Sequence, residues 1–180
     1  MTKTALACAV AALALVAAGC GGGDESSSVS PTDEWAEGFC TAITTWTDSL
    51  GTVTEQFASP SSLTQERLTD AANDVKSSTE TLVDDLRGLG APDTESGDAV
   101  KTSIDELSTT LETEVAKIES AVDSASGLAE LPSAISSITT SLSAMGTAFA
   151  ATLDSLQSAD AKGELQSALE DSPACAGISG

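Results

Sequence analysis

The chain has 180 residues, 28 of them acidic and seven basic, for a formal charge of −21, and it contains no histidine. So few cations argue against nucleic acid as a partner, because nothing displaces counterions from phosphates, and against direct adhesion to anionic headgroups. The lack of histidine removes the commonest general base and the commonest zinc ligand.

Residues 1–20 read MTKTALACAVAALALVAAGC. Lys3 precedes an uncharged run from Ala5 to Ala18, and Ala18-Gly19-Cys20 follows with two small residues before a cysteine. A basic tip, a short apolar stretch and a small-residue cut site make a secretory signal. The run is shorter than the ~20 residues a membrane-spanning helix needs. Its end resembles the lipobox of bacterial lipoproteins, whose new N-terminal cysteine is acylated, although Ala17 stands where that family prefers Leu. The resemblance implies that residues 1–19 are removed, that Cys20 carries the lipid, and that the remaining chain, without Lys3, has charge −22.

Gly21 to Ser30 is rich in Gly and Ser and has no apolar periodicity, so it reads as a flexible tether with an end-to-end distance of roughly 17–19 Å. The expected division is a leader over 1–19, a lipidated cysteine and tether over 20–31, and a folded domain over 32–180. Cys8 leaves with the leader. Cys40 and Cys175 remain, an even pair in an oxidising compartment, for which a disulfide is expected. Their separation is wrong for a local metal knuckle. Closing so long a loop stabilises by ~4–5 kcal/mol on the chain-entropy argument.

From Ser30 onward the pattern is helical. Ser30-Pro31-Thr32-Asp33 offers a cap, a proline at the first helical position and an acidic first turn. Trp35, Phe39, Ile43, Trp46, Leu50, Val53 and Phe57 then recur in steps of four and three, a heptad stripe. Gly51 is a weak point within it, and Ser59-Pro60 ends the helix. A second helix is expected to open on a capping box at Ser62-Leu63-Thr64-Gln65. Its stripe is Leu68, Ala72, Val75, Leu82, Leu86 and Leu89, interrupted by Thr79, and Gly88, Gly90 and Pro92 close it.

A third helix begins between Asp93 and Gly97 and carries Val100, Ile104, Leu107, Leu111, Val115, Ile118, Val122 and Ala125. Two successive steps of four rotate this stripe around the helix, and Gly127 is the expected stop. A fourth starts at Pro132 with Ile135, Ile138, Leu142, Met145, Phe149, Leu153 and Leu156. Ser158-Ala159-Asp160 and Gly163 weaken the helix before a short last one carrying Leu165 and Leu169, which Ser172-Pro173 ends. No segment alternates as a strand does. The economical fold is all-α: an antiparallel up-down-up-down four-helix bundle with a short fifth C-terminal helix, closed by one disulfide. If Cys40 and Cys175 are bonded, the chain must turn between Ser158 and Gly163. A straight helix to Asp171 would carry Cys175 too far past Cys40 for the bond to close.

Little here points to chemistry. There is no Gly-x-Ser-x-Gly and no Ser-x-x-Lys, and carboxylate pairs are commonplace on so acidic a chain, so no enzyme is expected. Asp84-Asp85 and the cluster Asp93, Glu95 and Asp98 carry Ca²⁺-type oxygens without EF-hand spacing; they read as solvated carboxylates, with no metal or other cofactor expected. Trp35 and Trp46 share a helical face and are read as core and as cover for the bundle's end rather than as a cation cage. The distinctive segment is 132–153, which contains no charged residue in this acidic chain. Its non-stripe face is Ser136, Thr139, Thr140, Ser143, Thr147 and Ala150. It is expected either to be buried on more than one side within the bundle or to form a neutral interaction face.

The lipobox-like Cys20, the tether, the run Trp35-Ala36-Glu37-Gly38-Phe39-Cys40 followed by Trp46, and the closing Pro173-Ala174-Cys175 together resemble small actinobacterial lipoproteins. The resemblance implies export and lipid anchoring on the outer face of the plasma membrane, and it implies no activity. Two functions are carried forward. One is an interaction or structural module of the cell envelope, meeting the membrane only through its lipid and presenting a surface to an envelope protein. The other is a module holding an apolar or cationic small molecule between helices.

Overall fold

The computed structural model describes residues 29–57, 64–127, 129–176 and 178. The leader, Cys8, Cys20 and most of the tether lie outside these residues, as do Ser59-Pro60, Ser62-Leu63 and the Phe57 side chain. Four long helices and a short one follow in order: α1 Pro31–Phe57, α2 Gln65–Leu89, α3 Gly97–Ser124, α4 Leu131–Ala159 and α5 Glu164–Asp171, with a 3-10 turn over Pro173–Cys175. No strand occurs among the described residues.

The helix ends follow from local chemistry. Ser30 Oγ accepts from the Asp33 N–H at 3.1 Å while the Ser30 N–H donates to Asp33 Oδ2 at 3.1 Å, a reciprocal cap around Pro31. α2 starts later than the expected box. Thr64 is its cap, accepting from the Arg67 N–H at 3.3 Å. Gly90, at φ 66° and ψ −154°, takes a positive-φ conformation that favours glycine just past α2. α3 stops at Ser124, where the Ala125 N–H bonds the Val122 carbonyl, short of the expected Gly127. Gly163, at φ 72°, re-aims the chain from α4 into α5.

Packing follows the apolar stripes. All eight positions read for α3, from Val100 to Ala125, are buried, with Leu111, Ile118 and Val100 fully so. In α1, Phe39, Ile43, Trp46 and Val53 are buried and Leu50 is half-buried. These side chains form one core with Leu68, Val75, Leu82 and Leu86 of α2 and Ile138, Met145 and Leu156 of α4. Each fully buried side chain of this size stabilises by ~1.5–3 kcal/mol. Helix α1 packs on α2, α2 on α3 and α3 on α4, the neighbour order of an up-down-up-down bundle.

The seam between α1 and α4 differs from the other three. At its C-terminal end it is occupied by α5 and the 3-10 turn, both of which pack on α1. Cys40 and Cys175 are bonded there, with Cα atoms 5.0 Å apart. The chain turns over 160–163 and α5 folds back, with Leu165 and Ala168 buried, as closure of the disulfide requires.

Candidate functional site

The uncharged face of α4 is built by 3.6-residue periodicity. Ser136, Thr140, Ser143, Thr147 and Ala150 recur at four and three residues and lie on one side, with Thr139 beside them. All six are exposed, so burial on more than one side is corrected. The reason is visible in the hydroxyls. Thr139, Thr140 and Thr147 donate to the carbonyls of Ile135, Ser136 and Ser143, each at 2.9 Å. A hydroxyl satisfied four residues back along its own helix needs no neighbouring helix. The apolar demand of α4 is met on the opposite side, where Leu131, Ala134, Ile138, Met145 and Leu156 are buried. Ile135, Leu142, Phe149 and Leu153, read as part of one stripe, are only half-buried and pack at the margin of the core.

Beside this face, α3 and α4 share a polar contact that sequence reasoning missed. Glu114 is buried at 7% exposure. Its Oε1 accepts from Lys117 Nζ at 2.6 Å. That hydrogen bond, seconded by one from Ser141 of α4, holds the Glu114 carboxyl below its ordinary range, against the opposing effect of burial. A groove of about 730 Å³ runs alongside, lined in part by Lys117, Ser133, Ser136, Ser137, Thr140 and Ser141. Two of the six face residues, Ser136 and Thr140, thus border a groove. The signal for Glu114 was the double step of four in α3, which turns position 114 into the seam.

The tryptophans do not form a cage. Trp46 is in the core, and its Nε1–H donates to Thr79 Oγ1 at 3.1 Å. Thr79, which interrupts the α2 stripe, is there as the acceptor that a buried indole requires. Trp35 stacks on Phe39, ring centres 5.2 Å apart, and donates to the Gly90 carbonyl at 3.0 Å, covering one end of the bundle beside the disulfide. No group of three metal-ligating side chains meets among the described residues. Glu95 instead pairs with Lys162 at 2.6 Å.

A second concavity lies where α1, α4, α5 and the C-terminal turn converge. It has a volume of about 450 Å³, and its walls include Phe39, Leu153, Leu156, Leu165, Leu169 and Ile178, with the Cys40–Cys175 bond at its side. No family model, curated protein or solved structure matches the chain. The two concavities described above and the uncharged face of α4 are therefore the grounds for a functional reading.

Proposed function

We propose that the chain is a lipid-anchored, extracytoplasmic helical module of the cell envelope, held on the outer face of the plasma membrane by acylated Cys20 and docking an envelope protein. The lipobox-like ending of the leader supports the anchor, with a palmitate-type chain on Cys20 as in the lipoproteins it resembles. No described helix is long and apolar enough to cross a membrane. The observation that carries the docking reading is the exposed, uncharged face of α4. On a chain of charge −21, most of the surface repels another acidic protein; this uncharged face does not.

Stable anchoring takes two or more acyl chains, since one is marginal. Cys20→Ala should release the domain into the medium or block leader processing. Wild-type protein found wholly in the soluble fraction with Gly19 still attached would overturn the anchor. For docking, Thr140→Lys and Ser143→Glu should leave the melting temperature unchanged and abolish a complex recovered from solubilised envelope by cross-linking. Unaltered cross-linking in both variants would overturn the face.

A second reading, a small-molecule module, is favoured by the apolar cavity between α1, α4 and α5.

A further inference from the structure

We propose that the cavity between α1, α4 and α5 takes an aliphatic cation, with its chain against Leu153, Leu169 and Ile178 and its charged head at Asp160 and Glu170. The proposal rests on the second reading above, that a small molecule sits between the helices, and adds the ligand's chemical class.

The interior selects an apolar body. Its walls are aliphatic and aromatic: Phe39, Leu156 and Leu165, fully buried, back the cavity, and Leu153, Leu169 and Ile178 keep apolar surface open to it. The volume of about 450 Å³ falls within the ~300–1,000 Å³ of small-molecule sites. The seam is held apart rather than filled. Helix α5 enters it from one end and the disulfide fixes the C-terminal turn against α1, so α4 cannot close fully onto α1. Leu153 and Leu169 are left half-buried in consequence, and an apolar ligand would cover them.

The polar rim selects the charge. Gln157, Asp160, Gln166 and Glu170 border the same cavity. Asp160 Oδ2 accepts from the Gln166 N–H at 2.7 Å, and Glu170 Oε1 accepts from Gln166 Nε2 at 2.8 Å. These bonds orient both carboxylates without neutralising them. Lys76, Lys101, Lys117 and Arg87 pair with Glu119, Asp105, Glu114 and Glu112, and Lys162, two residues from Asp160, is held by Glu95 at 2.6 Å. The rim carries two oriented carboxylates beside an apolar space, the complement of a cationic head on a hydrocarbon chain. An anionic amphiphile, such as a fatty acid, meets repulsion at the same place.

The test uses the mature chain and three probes of equal chain length, each below its micelle concentration: dodecyltrimethylammonium, dodecyl maltoside and dodecyl sulfate. Binding is read by calorimetry. The ammonium probe should bind at least tenfold tighter than the maltoside. The sulfate should not bind. Asp160→Asn with Glu170→Gln keeps the hydrogen-bond acceptors and should weaken the ammonium probe about tenfold, the effect of losing one favourable charge contact. Leu169→Trp fills the cavity and should block binding with helix content unchanged; Leu153→Trp serves if the first variant misfolds. A distant pair, Glu66→Gln with Asp70→Asn, should have no effect. Equal binding of ammonium and maltoside, blocked by Leu169→Trp, would overturn the cationic class and keep the small-molecule reading. No binding by any probe, or ammonium binding that survives Leu169→Trp and weakens equally in the distant pair, would overturn both.

Discussion

Two buried polar residues show how single side chains set this core. The Trp46 indole is enclosed, and Thr79 provides its acceptor at 3.1 Å. Thr79→Val keeps the shape and strands the indole N–H, which should cost about 1–2 kcal/mol, whereas Thr79→Ser should cost less; urea midpoints of the pair decide it. Glu114 titrates below the ordinary carboxylate range because Lys117 and Ser141 hydrogen-bond its charged form. A group with a lowered native pKa contributes stability that is complete above its unfolded pKa and is lost as pH falls through the native one. Glu114→Gln should therefore cost about 1 kcal/mol at neutral pH, and the gap to wild type should vanish in strong acid. A gap that is constant with pH would refute this account.

Among the helices, two glycines have opposite consequences. Gly51 sits exposed within α1, and a Cβ there meets nothing within 4 Å. Gly51→Ala should stabilise by about 0.5–1 kcal/mol, the helix-propensity difference. Gly97 opens α3, and a Cβ there would overlap the Pro92 carbonyl oxygen. Gly97→Ala should lower the melting temperature by several degrees, as ~1–3 kcal/mol of overpacking does at this size. Much of this level was legible beforehand. Every position of the α3 stripe is buried, the Ser30–Asp33 cap is local, and the turn before α5 follows from chain geometry once the cysteines pair. What was not legible depends on neighbours. Burial was one of the two expectations for α4's neutral face, drawn from its lack of charge, but threonines bonded to their own helix tolerate water. Thr79 looked like an interruption because its partner, Trp46, lies on another helix, and Glu114 drew no reading because the Ser141 that faces it lies on α4. The width of the α1–α4 seam depends on where α5 lodges, which no single stripe encodes.

Across the whole molecule, the dominant covalent feature is the Cys40–Cys175 bond. Cys175→Ser should destabilise by ~4–5 kcal/mol if the chain-entropy argument holds, read from denaturant midpoints of oxidised wild type against the variant. The loss should fall first on α5, whose principal packing partner is α1. Its amides should exchange with solvent well before those of α3, which is covered by both α2 and α4.

The same bond makes a mechanical short circuit. The covalent path along the chain enters at one end, crosses from residue 40 to residue 175 and leaves, so α2, α3 and α4 lie on a slack loop. A pull applied to the two termini strips the start of α1 and then stops at sulfur. In a single-molecule pulling trace the oxidised protein should stretch only by its terminal segments. Reduction should release the loop of 135 residues, adding contour length on the order of 450–490 Å at ~3.3–3.6 Å per residue. Tension between an anchored N-terminus and a load on the C-terminal tail would bypass the long helices, and the uncharged face of α4 would keep its shape under strain.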